Sequence, residues 1–198
     1  MRADLTKALA AAQAYRSAAQ AALTERLAAR PIDSEQRAAH GFAWVATTVA
    51  ALEATLDWLD AGKGANPLDA KIATLAFAES IGQLTGGLPM SQNEIFRPTD
   101  LGFGGAARTL AEACADLLDA DHAATRAEVA AALAEGHWPS ETLHDADLDA
   151  IREQYRRFTD AAIIPHAHSW HLANELIPDV TVQAMAELGT FGVCIPEE

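Results

Sequence analysis

Apolar residues recur every three to four positions through most of this chain, the spacing of helices buried along one face. Leu5, Leu9, Ala12, Ala19, Leu23 and Leu27 mark the first such stripe and predict a helix from about Asp4 to Ala29. Arg30-Pro31 stops it, because proline disfavours the helical conformation in the residue before it. Phe42, Val45, Val49, Leu52, Leu56 and Leu59 then step 3, 4, 3, 4, 3, the most regular stripe in the chain. Asp33 and Gln36 resemble a capping box ahead of that helix, and Gly62 closes it. Asn66-Pro67 reads as an N-cap followed by a first-turn proline. The third helix carries Leu68, Ile72, Leu75, Ile81 and Leu84 and ends at Gly86-Gly87.

The period is lost from Leu88 to Gly105, LPMSQNEIFRPTDLGFGG, and its prolines and glycines predict a loop. Two shorter helices are expected next, about Ala106 to Asp119 and His122 to Glu135. Gly136 and Pro139 break the pattern, which makes GHWPSETLHD the best boundary in the chain. From Asp145, Leu148, Ile151, Tyr155, Phe158 and Ala162 step 3, 4, 3, 4, with Arg152, Glu153 and Arg156 facing outward. This helix should end near Pro165. Pro178 opens another through Val182, Met185 and Leu188, and Gly189 stands where a left-handed residue closes a helix. The last residues, GTFGVCIPEE, form a short, apolar, strand-prone run that calls for something to cover it. The fold class expected is all-α. The expected divisions are a helical extension over 1–103, connecting helices and a linker over 104–144, and a further helical domain over 145–198.

Composition narrows the function classes. The chain has 198 residues, half of them hydrophobic, which is enough for a sizeable core. Its net charge of -14 and pI near 4.8 oppose nucleic-acid or anionic-membrane binding, both of which need a positive field. Cys114 and Cys194 are far apart and form no CxxC pair, as expected of a reducing compartment. The N-terminus lacks the apolar core of a signal peptide, and no uninterrupted run of ~18 apolar residues predicts a membrane span. The expected location is the cytoplasm.

Candidate chemistry is sparse. His166, His168, His171 and Glu175 are residue types that bind zinc or iron when they converge. On a helix His166 and His168 lie about 200° apart, whereas His171 and Glu175 share a face. A polar inter-helix segment anchored by Trp170 is the preferred reading. His40, four residues before Trp44, reads as a helix-surface or core-edge histidine rather than a base. Ser80 and Ser91 have no His-Asp order around them. Gly102-Phe103-Gly104-Gly105 would suggest a phosphate loop only behind a strand, and none is expected there. Ser91, Gln92, Asn93, Glu94 and Arg97 form a polar cluster that could bind a ligand, but tying helix ends together is the preferred role.

The last quarter carries a resemblance. IREQYRRFTDAAIIPHAHSWHLANELIP followed by AMAELGTFGVCIPEE resembles the opening of an acyl-CoA dehydrogenase: a helix ending at Ile164-Pro165, another introduced by Pro178, then Glu187-Leu188-Gly189 and Ile195-Pro196-Glu197-Glu198. The preceding HGFAWVATTVAALEATLDWL, GGLPMSQNEIFRPTDLG and PHAHSWHL resemble the helical extension of the methylsuccinyl-CoA dehydrogenase branch. That resemblance implies FAD as cofactor, an acyl-CoA substrate oxidised to an enoyl-CoA (methylsuccinyl-CoA to mesaconyl-CoA in this branch), an electron-transfer flavoprotein as acceptor, and a homo-oligomer. In the family the flavin-covering β-domain and the glutamate base follow the IPEE motif. No residue of this chain matches that base or a flavin-contacting motif, so no catalytic, cofactor-binding or metal residue is assigned, and the chain alone is expected to be inactive and to bind FAD weakly. The alternative is a non-catalytic helical interaction module.

Overall fold

A computed structural model describes residues 2–193. Its contacts divide the chain into two compact units, 1–141 and 142–198. The fold is all-α, with one small hairpin among the described residues.

The N-terminal unit is built on three long helices. Helix α1 (Arg2–Ala29), α2 (Gln36–Ala61) and α3 (Pro67–Gly86) bury the stripes that the spacing predicts. Leu5, Ala12, Ala19 and Leu23 from α1 share one core with Val45, Val49, Leu52 and Leu56 from α2, and with Phe77, Ile81 and Leu84 from α3. Alanines at 8, 12 and 19 of α1 are essentially inaccessible. Side chains this small let neighbouring helices approach closely, which explains why α1 forms despite few large apolar residues. Tyr15 is buried in this core, its hydroxyl donating to the Leu84 carbonyl oxygen at 2.7 Å and its ring tilted on Phe103 at 5.1 Å.

Helix α3 starts as expected: the Asn66 side chain accepts from the Leu68 N–H at 3.0 Å, with Pro67 in the first turn. The start of α2 differs. A short 3-10 turn, Ile32–Ser34, precedes it, and no side chain caps it. Asp33 therefore forms no capping box. Glu35 occupies the N-cap position instead, and its carboxylate turns back to meet Arg26 and Arg30, each at 2.8 Å. Two guanidiniums outcompete one backbone N–H for the carboxylate.

The stretch expected to be loop contains an antiparallel hairpin, β1 (Leu88–Ser91) and β2 (Glu94–Phe96), turning at Gln92-Asn93. Leu88 pairs with Phe96 and Pro89 with Ile95, and the register slips between Pro89 and Ser91. Leu88, Met90 and Phe96 point into the core. Phe96 lies flat on Gly41 of α2, so closely that a Cβ there would fall under 3.0 Å from three ring atoms. Helices α4 (Gly104–Ala113), α5 (Ala115–Leu118) and α6 (His122–Ala134) complete the unit, α4 packing Ala107 and Leu110 inward. The single helix expected from Ala106 to Asp119 is broken at Cys114, which is buried in the core.

The segment after α6 is tied down. The Asn66 side-chain amide donates to the Trp138 carbonyl oxygen at 2.8 Å, and the Ser140 N–H donates to the buried Asp69 carboxylate at 2.8 Å.

The C-terminal unit contains α7 (Ala146–Ala162), α8 (Ile164–Ala173) and α9 (Asp179–Glu187), then a 3-10 turn, Thr190–Gly192. Asp145 caps α7, accepting from the N–H groups of Asp147 and Leu148 at 2.9 and 3.0 Å. Gly189 is left-handed, with φ 83°, as its position after the helix requires. Residues 165–173, expected to lie between helices, are helical: Pro165 stands in the first turn of α8, where its missing N–H does no harm. Helix α8 ends at Asn174, which adopts the left-handed conformation with φ 54°.

Candidate functional site

The C-terminal unit exposes its apolar residues. Ile164, Leu172, Leu176, Ile177, Val180, Phe191 and Val193 are all more than half exposed, and even Leu148 and Ile151 on the α7 stripe are 47% and 48% exposed. Within the described residues of this unit Thr181 is the one buried side chain. A cleft of about 410 Å³ opens in it, lined by Ala162, His166, Trp170, Pro178, Val180, Thr181 and Ala184. The His166 and Trp170 rings stack at 5.7 Å with 31° between planes, one helical turn apart on α8. The cleft offers an aromatic wall and an apolar floor, with the His166 imidazole and Thr181 as its polar side chains and no arginine or lysine in its lining. These residues do not by themselves fit a flavin dinucleotide, whose pyrophosphate needs donors or positive charge.

At the head of this unit, the ionised Asp149 carboxylate accepts from the Thr142 hydroxyl at 2.5 Å and the Leu143 N–H at 3.1 Å, and pairs with Arg152 at 2.9 Å. The Thr142 and Leu143 bonds hold its carboxyl below the usual carboxylate range, Arg152 adding to the effect and burial opposing it. This is an anchor for the start of α7, since it joins residues 142 and 143 to the first turns of the helix.

The candidate residues read from the sequence do not converge. His166, His168 and His171 all lie on α8, but Glu175 falls beyond the left-handed Asn174, so the face it was to share with His171 ends before it. Among the described residues no group of three His, Cys, Asp or Glu side chains lies close enough to hold a metal ion. His40 accepts a hydrogen bond from the Trp44 indole N–H at 3.0 Å, an exposed pairing along one helix. The polar cluster at the hairpin has a structural use. Arg37 donates to Glu94 at 3.1 Å, to the Ile95 carbonyl oxygen at 2.8 Å and to Asp100 at 3.3 Å, clasping β2 and the following turn to α2. Cys194 and the Ile195–Glu198 motif lie outside the described residues. No helix among the described residues is long and apolar enough to cross a membrane.

An amphipathic helix that ends before Pro165, a short helix that follows Pro178 and a left-handed glycine thus occur in the order that the resemblance requires, with α8 as an additional helix between them. Residues 145–198 match the acyl-CoA dehydrogenase N-terminal domain family. The complete members of that family are oxidoreductases that use FAD. The similarity extends well beyond it. The chain is 36% identical over 208 aligned residues to a (2S)-methylsuccinyl-CoA dehydrogenase of Cereibacter sphaeroides, an alignment covering 96% of this chain and 37% of that protein. A glutaryl-CoA dehydrogenase of Desulfococcus multivorans is 36% identical over 52 residues, 26% of this chain and 13% of that protein. The chain thus spans little more than a third of the length of the first of these relatives.

Proposed function

We propose that this chain is the N-terminal portion of an FAD-dependent acyl-CoA dehydrogenase acting on (2S)-methylsuccinyl-CoA to give mesaconyl-CoA. The observation that carries the reading is the reach of the similarity. The methylsuccinyl-CoA dehydrogenase aligns across 96% of the chain, through the helical extension as well as the dehydrogenase segment, whereas the glutaryl-CoA enzyme aligns over 52 residues. FAD, held by the rest of the complete enzyme, would supply the hydride-accepting chemistry of the acyl-CoA oxidation, with an electron-transfer flavoprotein as the electron acceptor. The contribution of this chain is structural: residues 1–141 form a helical extension with its own core, and the apolar surface of α7 to α9 suits burial against the rest of a dehydrogenase. The complete enzyme is a homo-oligomer in the cytoplasm. The chain alone neither retains FAD nor oxidises acyl-CoA.

A chimera tests this. The chain is fused in place of the matching N-terminal part of the Cereibacter enzyme, and dye reduction is measured with methylsuccinyl-CoA and glutaryl-CoA. A yellow chimera that oxidises methylsuccinyl-CoA in preference is expected, beside a colourless, inactive isolated chain. A chimera that retains FAD but prefers glutaryl-CoA would overturn the substrate assignment. Stoichiometric flavin on the isolated chain would overturn its passive role.

A further inference from the structure

We propose that a cleft in the N-terminal unit, between the end of α3, the Pro98–Asp100 turn and the start of α4, binds a phosphate-bearing small molecule through Arg97 and Arg108. The cleft has a volume of about 430 Å³, and its walls include Thr85, Gly86, Thr99, Gly104 and both arginines. That volume accommodates a nucleotide-sized ligand in part or an inorganic phosphate entirely.

The charge arrangement carries the inference. The chain bears a net charge of -14, and most of its arginines are satisfied internally: Arg2, Arg16, Arg26, Arg30, Arg37 and Arg126 each meet a carboxylate within 4.0 Å. Neither Arg97 nor Arg108 forms such a pair. The carboxylate nearest to Arg97 along the chain, Asp100, is already engaged by Arg37 and by the Arg97 backbone N–H. Glu112, one turn beyond Arg108 and suitably placed for an ion pair along the helix, makes none. Instead the Arg108 guanidinium reaches back over the first turn of its own helix, 3.8 Å from where a Cβ on Gly105 would sit. Arg97 lies against Gly87 in the same way, its Nε 4.0 Å from a Cβ built there.

Two like charges facing one cleft repel each other unless an anion lies between them. The nearby Asp100 carboxylate is bound to Arg37 and to the Arg97 N–H and does not line the cleft, the first turn of α4 contains no acidic residue, and Phe103 provides no side-chain cap. The N–H groups of Gly104 and Gly105 likewise have no backbone acceptor. Thr99 also lines the cleft, its methyl group 3.8 Å from where a Cβ on Gly104 would sit, and the Thr85 hydroxyl donates to the Ile81 carbonyl oxygen at 2.9 Å. Arginine forks and backbone amides together match the tetrahedral oxygens of a phosphoryl group. The overall negative charge of the chain opposes diffuse anion adsorption, so saturable binding here must come from this local set.

The test is amide NMR of the full chain titrated with inorganic phosphate, AMP and coenzyme A. Saturable shifts at Gly86, Thr99, Gly104 and Gly105 are expected. The Arg97→Ala/Arg108→Ala double variant should weaken binding by at least about tenfold. Both side chains are exposed, so unchanged amide positions elsewhere will show that the variant is folded. Arg126→Ala, which removes a cation already paired with Glu79, should leave binding unchanged. Tighter binding of AMP or coenzyme A than of phosphate supports the site with an organic phosphate as its ligand. Equal affinities support it with free phosphate. Absence of saturable shifts with all three probes, or shifts that persist in the double variant, would overturn the proposal. Either result leaves the dehydrogenase reading untouched.

Discussion

Gly41→Ala sets helix propensity against packing, and the structure decides the sign. Gly41 is buried in the first half of α2, where alanine is intrinsically the better helix former by about 1 kcal/mol. The added methyl would fall under 3.0 Å from three ring atoms of Phe96, which is 2% exposed. That ring cannot swing into solvent without pulling β2 from the core, and overpacking of this kind costs about 1–3 kcal/mol. The net expectation is a loss of about 1–2 kcal/mol, or roughly 2–4 °C in Tm for each kcal/mol. Gly82 in α3 is the control, because a Cβ there would meet nothing within 4 Å. Gly82→Ala should therefore stabilise by up to about 1 kcal/mol. Urea unfolding followed by circular dichroism measures both. In a Phe96→Leu background, the smaller and more pliable side chain should relieve part of the Gly41→Ala loss, a coupling of about 1 kcal/mol. A Gly41→Ala chain as stable as the parent, or more stable, would refute the close packing of the hairpin on α2.

Glu35→Gln should lower the urea midpoint at neutral pH, because Arg30 and Arg26 hold the Glu35 carboxyl below its ordinary range against the opposing effect of burial. A depressed folded-state pKa contributes stability that is present above the unfolded value and lost as pH falls through the folded one, so the difference from the parent should vanish in acid. Asp149→Asn should loosen the start of α7 with the same sign, seen as faster amide exchange at Leu143 at neutral pH and little change in acid. Asn66→Ala removes both the α3 cap and the bond to Trp138, and a loss of about 1–2 kcal/mol is expected by urea unfolding. The same variant should be cut faster around residues 137–141 in limited proteolysis.

The helical stripes were legible because a one-sided core leaves a 3.6-residue signature, and α1, α2 and α3 carry it. The cap at Asn66, which depends on one side chain and one nearby N–H, was also legible, as was the left-handed stop at Gly189. The hairpin was not. Its buried positions, Leu88, Met90 and Phe96, span a register slip, and Gln92-Asn93 lacks the glycine that announces a tight hairpin turn. The missing signal lay elsewhere in the sequence, in Gly41, the one gap in the alanine-rich start of α2. The capping box expected at Asp33 and Gln36 fails for a related reason: Glu35 takes the N-cap position, and its partners Arg26 and Arg30 lie across a proline, where local capping rules do not reach. The arginine cleft was illegible as well, since Arg97 and Arg108 come to line one cleft only in the folded chain.

The two units use the same kind of pattern to opposite effect. The stripe of α2 ends in a core where Val45, Val49, Leu52 and Leu56 are at most 4% exposed. The stripe of α7 is equally regular, yet Leu148 and Ile151 remain about half exposed. Helix propensity alone does not hold an amphipathic helix of 17 residues firmly in water; burial of its apolar face supplies most of the stability. The Asp145 cap and the Thr142–Asp149–Arg152 anchor fix where α7 starts, but they bury no apolar area. Such a face has a use when further protein covers it, and the dehydrogenase reading provides that cover from the part of the relative that lies beyond this alignment. The extension, with its own closed core, needs no such cover to fold. On this reading residues 1–141 contribute a preformed platform, and residues 142–198 contribute a surface completed by the rest of the enzyme.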